Sequence, residues 1–315
     1  GDFTFSRNSA ATRVNAQGLV ENVQILSSDL VSNGNFSQEG VQEVSNGSFS
    51  QEGAELVVNG DFENWTADSP NNWTVVNEDA NNYVTQDGTY AKIVSNDTSS
   101  IQIKQNIFTI GKTYRVDLDA VVNNGNVEGL KLNDATAAAT IGYVNSTGHH
   151  TFYFKAEGTF FVINRKGGGN TDISIDNVSV KEVAQDWILG TGWSIGEDKA
   201  LNSGGANFSD LTQLNTNIII GKNYKITYTV SDYVSGSFKF IMNSNTTAGL
   251  LRNADGTYTD YLTSAAQAYS FRTQGSGFIG SITNISVKEV GQNWTLPPGF
   301  SIGENVAIYD DSANG

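Results

Sequence analysis

His149 and His150 are the only imidazoles in this 315-residue chain, and they are adjacent. They open the alternating stretch Thr151-Phe152-Tyr153-Phe154, where neighbouring side chains point to opposite faces. The pair therefore cannot grip one metal ion or share one proton path. The 33 Asp and Glu residues offer many carboxylates, but no pair recurs in a setting that would drive two pKa values apart for acid and base work. There is no Cys, which removes disulfides, thiolate nucleophiles and thiolate metal sites. No Gly-x-Ser-x-Gly elbow occurs, and the run Gly167-Gly168-Gly169 lacks the strand-to-helix passage of a phosphate cradle. A non-enzymatic protein is the expectation.

Sugar recognition is the chemistry these residue types suit better. It uses aromatic faces against the apolar side of a sugar ring, flanked by groups that hydrogen-bond to hydroxyls. Trp65, Trp187 and Trp294 recur along the chain, as do Trp73, Trp193 and Phe300. Recurrence of this kind is explained most simply by a shared core. The better carbohydrate-binding candidates are aromatics peculiar to one region: Tyr83, Tyr90 and Tyr143 with Arg165, then Tyr233, Tyr258 and Tyr261.

The elements that must carry these residues have a period of two. Tyr114, Val116, Leu118 and Ala120 alternate with polar residues, and so do Tyr224, Ile226, Tyr228 and Val230. That pattern predicts half-buried antiparallel strands. Turn signals at Asp87-Gly88, Asn124-Gly125, Asp255-Gly256 and the Gly167 run separate such stretches. No helix of three turns is expected; Asp134–Thr140 comes nearest. The parity of apolar residues switches between Ile175 and Val178, and again between Ile282 and Ile285. A bulge at Asp176-Asn177 and at Thr283-Asn284 would keep both halves facing inward.

Repetition sets the organisation. Ser179–Trp187 (SVKEVAQDW) returns 107 residues later as Ser286–Trp294 (SVKEVGQNW), and an earlier copy starts at Trp65. A shorter repeat precedes them, with Phe36, Phe49 and Phe62 thirteen residues apart, as are Gly34, Gly47 and Gly60. Thirteen residues cannot make a core alone, so these segments must lie on a neighbouring domain or stack against the same segment of other chains. The expected fold is all-β, tandem antiparallel β-sandwich (jelly-roll) domains with an N-terminal extended, short-repeat segment. The expected boundaries are 1–56 for that connecting segment, 57–183 and 184–290 for two jelly rolls, and 291–315 for the start of a truncated third repeat.

A net charge of -15 argues against a partner that tracks nucleic-acid phosphates. No run approaches eighteen apolar residues, so no membrane insertion is expected; the chain opens on Gly-Asp-Phe-Thr-Phe, as a mature or excised portion would.

The stretch Asn59-Gly60-Asp61-Phe62-Glu63-Asn64-Trp65, with Ile110–Leu118, Thr151–Gly158 and Ile175–Val183, resembles the carbohydrate-binding jelly-roll modules found beside bacterial cellulases and xylanases. In those modules a structural Ca²⁺ commonly joins the opening strand to the closing one. The resemblance implies Glu63 and Asp176 as its ligands here, with Asp61 close by, a set of hard oxygen donors suited to that ion. Thr283 stands where Asp176 would recur, so no second Ca²⁺ site is implied. The stretch Phe3–Val23 followed by copies of Asn-Gly-Asn-Phe-Ser-Gln-Glu-Gly is similar to segments of phage fibre and tail proteins. Together these resemblances imply a virion structural protein, a fibre or surface appendage at the virion surface, displaying modules for attachment. Its expected partners are other virion proteins, cell-surface or environmental glycans and further copies of itself, in a homotrimer as fibres commonly form. A secreted, extracellular bacterial polysaccharide-binding or adhesion protein, or an accessory module of a glycoside hydrolase, is the alternative.

Overall fold

The computed structural model describes residues 12–22, 31–97, 99–124, 129–136, 140–167, 170–213, 217–244, 247–297 and 299–310. The signals at Gly125 and at Gly168-Gly169, and residues 3–11 and 23 of the stretch Phe3–Val23, lie outside them. The described residues fall into two units, one spanning 40–289 and one formed by those before 40 with those after 289. Every regular element among them is a strand.

In chain order, β1 (Thr12–Val14) and β2 (Val20–Asn22) form a hairpin. β3 (Glu39–Gln42) is short, and β4 (Trp65–Thr66) pairs only with β5 (Ser69–Pro70). Ten strands then build a first sandwich: β6 (Thr74–Val76), β7 (Asn82–Asp87), β8 (Tyr90–Ser95), β9 (Gln102–Asn106), β10 (Thr113–Val122), β11 (Leu130–Asn133), β12 (Thr140–Val144), β13 (Gly148–Lys155), β14 (Phe160–Arg165) and β15 (Thr171–Val183). They form two five-stranded sheets, ordered β13-β10-β15-β8-β7 and β12-β11-β14-β9-β6. Successive strands pass repeatedly from one sheet to the other with antiparallel neighbours, a jelly-roll path.

Eight further strands build the second sandwich: β16 (Trp187–Leu189), β17 (Trp193–Gly196), β18 (Lys199–Ser203), β19 (Asp210–Gln213), β20 (Asn223–Ser244), β21 (Thr247–Ala248), β22 (Gly256–Thr263) and β23 (Tyr269–Val290). The long strands β20 and β23 pair with each other and bridge the layers. They bend where the backbone turns left-handed, at Asp232 and Gly236 in β20 and at Gly275, Gly277 and Asn284 in β23. β24 (Phe300–Ile302) and β25 (Ala307–Tyr309) close the described chain as a hairpin.

The alternation read from the sequence is what fills the two cores. Tyr114, Val116, Leu118 and Ala120 are buried in the first; Tyr224, Ile226, Tyr228 and Val230 in the second. Each fully buried side chain of this size stabilises by roughly 1.5–3 kcal/mol relative to exposure. The bulge predicted at Asp176-Asn177 is present. Opposite Leu118 the register of β10 against β15 slips from Asp117↔Ser179 to Asp119↔Asp176, so two residues face one. Asn177 and Asn284, at matching places, have φ of 50° and 53°, a region Asn tolerates better than most residues.

Two expectations need correcting. Val44 and Phe49, read as part of a connector, belong to the second core, while Val57 and Phe62 belong to the first. Of the two arrangements open to the thirteen-residue repeats, packing on a sandwich of the same chain is the one found. The second correction concerns register. Trp73, rather than Trp65, matches Trp187 and Trp294: each follows a left-handed residue (Asn72, Asp186 and Asn293, φ 68–76°) and donates its backbone N–H three residues back. The β4–β5 hairpin, an insertion peculiar to the first sandwich, displaces Trp65 from that alignment.

Candidate functional site

Of the residues nominated for Ca²⁺, Asp176 and Asp61 are coupled by charge. Asp176 is buried at the bulge, where its carboxylate accepts from the Asn177 backbone N–H at 2.7 Å and from the Thr89 hydroxyl at 3.4 Å. Burial, and to a lesser degree the charges of Asp119 and Asp61, push its pKa up. Asp61 therefore faces the same region. Glu63 is exposed and its backbone N–H turns to Asp61 at 3.4 Å. Among the described residues no three His, Asp or Glu side chains lie close enough to share an ion.

His149 and His150 diverge as their adjacency requires. The His149 ring contacts Asp119 at 2.8 Å and Asp117 at 3.3 Å, and these carboxylates raise its pKa. His150 turns to the Ser146 carbonyl at 2.8 Å and stacks on Phe152.

The aromatic candidates are scattered. Tyr83 lies on the edge strand β7 and lines a shallow concavity with Asp68, Glu78 and Asp79; Tyr90 is half-buried on β8. Tyr143 is 45% exposed on β12, at the edge of the opposite sheet, with the Lys166 ammonium 4.6 Å from its ring centre. Arg165 is buried, its Nε donating to the Ser99 carbonyl at 3.1 Å. Tyr233 and Tyr258 pack against the second core, and Tyr261 is half-buried opposite Lys225. Tyr258 covers a trio in which half-buried Arg252 pairs with buried Asp260 and the Tyr228 hydroxyl donates to Asp260 at 2.9 Å. A second cleft, about 370 Å³, opens between the sandwiches beside Lys112, Lys155, Glu182 and Asp186.

The most developed arrangement is one the sequence reading missed: a slot in each sandwich that holds a Val-x-Asn-Gly-x-Phe segment. In the first sandwich Gly60 presents its carbonyl to the Val178 N–H at 2.9 Å, just past the bulge; in the second, Gly47 does the same for Ile285 at 2.9 Å. The Trp73 indole donates to the Asn59 carbonyl at 3.0 Å and the Trp187 indole to that of Asn46 at 3.1 Å. The Gln105 side chain clamps Val58, accepting from its N–H at 3.1 Å and donating to its carbonyl at 2.7 Å. Gln213 clamps Ser45 likewise, at 3.0 and 2.7 Å. Glu55 caps the Val180 N–H and Gln42 that of Val287, both at 2.8 Å.

The segments share one backbone. Asn33, Asn46 and Asn59 have φ of 48–58°, and Phe36, Phe49 and Phe62 have φ of 46–57°. A left-handed Phe is disfavoured in isolation, so the tertiary fit imposes it. In the remaining unit Trp294 donates to the Asn33 carbonyl at 3.0 Å and its ring lies 5.1 Å from Phe36. The assignment is thus nested: the third segment opens the first sandwich, the second opens the second, and the first pairs with the start of the third repeat.

No protein-family model and no curated protein matches the sequence. Among solved structures, a Paenibacillus xanthan lyase is similar at 12% identity and a TM-score of 0.25, over 71% of this chain and 25% of the lyase, so the chain spans a quarter of that protein. An allantoicase from Saccharomyces cerevisiae is similar at 9% identity and a TM-score of 0.30, over 79% and 93% of the two chains. A triple-jelly-roll protein of an archaeal virus turret is similar at 12% identity and a TM-score of 0.21, over 73% and 61%.

Proposed function

We propose that this chain is a non-enzymatic virion structural protein, a phage fibre or surface appendage, that holds β-sandwich modules outward for attachment to cell-surface or environmental glycans. The observation that supports this reading is a double connection. The two sandwiches are joined once through Val183–Trp187 and again through residues 50–56, which run from the slot of the second to the slot of the first. That second strand is bound along its length: the Gly53 N–H donates to the Glu182 carbonyl at 2.8 Å and the Leu56 N–H to that of Val180 at 3.0 Å. Glu52 bridges Arg115 and Lys181, at 2.7 and 2.8 Å.

A single linker lets neighbouring domains pivot. Two linkers, one of them stitched to a strand, hold orientation and share a pulling load. This suits a part that must present several shallow sites at fixed spacing, where attachment comes from multiplicity. Tyr83 and the inter-sandwich cleft are the surfaces most suited to a sugar ring.

Density-gradient purification of particles from the source culture tests the reading. The chain should band with genome-containing particles, and multivalent display of the chain should bind a glycan array. A chain found only free in the medium, or one that degrades polysaccharide, would favour the secreted bacterial alternative.

A further inference from the structure

We propose that the cleft between the sandwiches continues over Ile188 onto the outer face of the second sandwich as one groove, and that this groove takes a stretch of several units of a neutral polysaccharide, with Phe208 stacking on one of its rings. The inference rests on the glycan-attachment reading and names the class of glycan and how it is held.

Ile188 is 52% exposed and lines two hollows: the cleft beside Lys112 and Lys155, about 370 Å³, and a neighbouring one of about 320 Å³ bounded by Thr191, Asn207, Phe208 and Asp210. Strand pairing fixes what lies between. Ile188 stands opposite Thr212 and Thr212 opposite Ser270, while Asp210 stands opposite Arg272. Leu211 and Gln213 are buried, so positions 212, 210 and 208 follow one another on the outer side. Four residues of extended chain separate the row of Ile188 from Phe208, about 13 Å, which is longer than one sugar ring. Two locked polar pairs occupy that interval. Arg272 donates to Asp210 through Nε at 2.8 Å and Nη2 at 2.7 Å, and the Thr212 and Ser270 hydroxyls are 2.7 Å apart. Apolar faces at both ends with hydroxyl-binding groups between them match the two faces of a sugar chain.

Phe208 distinguishes a binding surface from ordinary exposed sheet. It is 58% exposed, joins neither core and has φ of 57°, so a strained backbone serves a ring that buries nothing. Buried Thr273 holds that turn: its carbonyl accepts from the Phe208 N–H at 3.2 Å, and its hydroxyl accepts from the Ser209 N–H at 2.9 Å and donates to the Ala206 carbonyl at 2.7 Å. A ring-bearing turn fixed in advance lowers the cost of ordering on binding. The feature does not recur. With the Gln105 clamp matched to Gln213, and Thr74 opposite Lys104 as Ile188 is opposite Thr212, Ser100 and Thr74 occupy the places of Phe208 and Ile188 in the first sandwich. The charges cancel along the groove: Lys112 pairs with Glu182 at 2.8 Å, Arg272 with Asp210, and Lys155 is offset by Asp186. On a chain of net charge -15, that local balance favours an uncharged ligand. Both sandwiches supply walls of the cleft, so the groove needs the fixed orientation that the double connection provides.

The test presents the full chain to arrays of neutral and acidic oligosaccharides graded in length from monosaccharide to hexasaccharide. Neutral chains should bind, more tightly as they lengthen past one ring, with affinity nearly constant between low and high salt. Phe208→Ala should weaken that binding by about tenfold or more at an unchanged melting temperature, Ile188→Ala should weaken it as well, and Phe208→Tyr should retain it. Glycan binding that survives Phe208→Ala, that is confined to acidic sugars, or that is already complete with a monosaccharide overturns the groove and leaves the attachment reading standing. Binding to no glycan overturns both. Self-association of the chain that Phe208→Ala disperses also overturns the proposal, since the groove then belongs to a second copy.

Discussion

Gly47 lies against Ile285 so tightly that a Cβ on the glycine would fall 2.1 Å from the Ile285 carbonyl oxygen. Gly60 stands in the same relation to Val178, at 2.0 Å. Gly34, the first of the three, has only its own neighbour Val31 as its nearest contact, at 3.2 Å. One sequence feature thus serves as a close-approach point twice, and at its third occurrence no strand among the described residues approaches it.

Gly60→Ala should destabilise the first sandwich and Gly47→Ala the second, each by about 2–3 kcal/mol, because a methyl group pressed on a backbone carbonyl forces the strands apart. Gly34→Ala should stay within about 0.5 kcal/mol of the parent. Chemical denaturation followed by tryptophan fluorescence checks all three.

Trp187→Phe removes the indole N–H that satisfies the Asn46 carbonyl and should cost about 1–3 kcal/mol in the second sandwich alone. Trp294→Phe should cost much less, since Trp294 is 40% exposed. Resolved unfolding transitions separate the two cases.

Glu43 has its pKa raised by burial first and by the charge of Glu289 second, against a hydrogen bond from Asn217 that lowers it. A carboxyl with a raised folded value contributes stability below its ordinary pKa of 4.5 and loses it as pH rises through the folded value. Glu43→Gln should therefore stabilise the second sandwich at pH 7, with the gain vanishing in acid; melting temperatures across pH read it directly.

For His149 the sign is set by Asp119, the chief cause of its raised pKa. The contact stabilises below the ordinary value of 6.5 and is lost as pH rises through the folded value. Asp119→Asn should bring the His149 titration back down, observed by NMR. The ring is 57% exposed, so the effect on global stability should be small.

Added Ca²⁺ should raise the melting temperature of the first sandwich through Asp61 and Asp176. Asp176→Asn should abolish that response with little loss of stability in the absence of the ion, because burial already disfavours the Asp176 charge. Glu63→Gln should leave the response unchanged.

The strands, the bulge at Asp176-Asn177 and the repeated β-sandwich architecture were legible because they follow from period-two burial and from parity switches, which are local properties of the chain. Val116 or Ile226 must face inward wherever its strand pairs. The match of Trp187 to Trp73 was not legible, since an inserted hairpin shifts the spacing and only the left-handed turn before each indole reveals it. The slot was hidden for a related reason: Gln105 and Gln213 look like ordinary polar strand residues until a distant backbone lies beside them.

What the sequence determined by itself was that three Asn-Gly-x-Phe segments exist, thirteen residues apart, and that each is too short to own a core. Only the tertiary structure decided which sandwich each one opens. Nearly identical segments carry no local information about their partners, and the choice falls to chain connectivity and to the few contacts, such as Glu52 with Arg115 and Lys181, that fix where the chain crosses from one slot to the next.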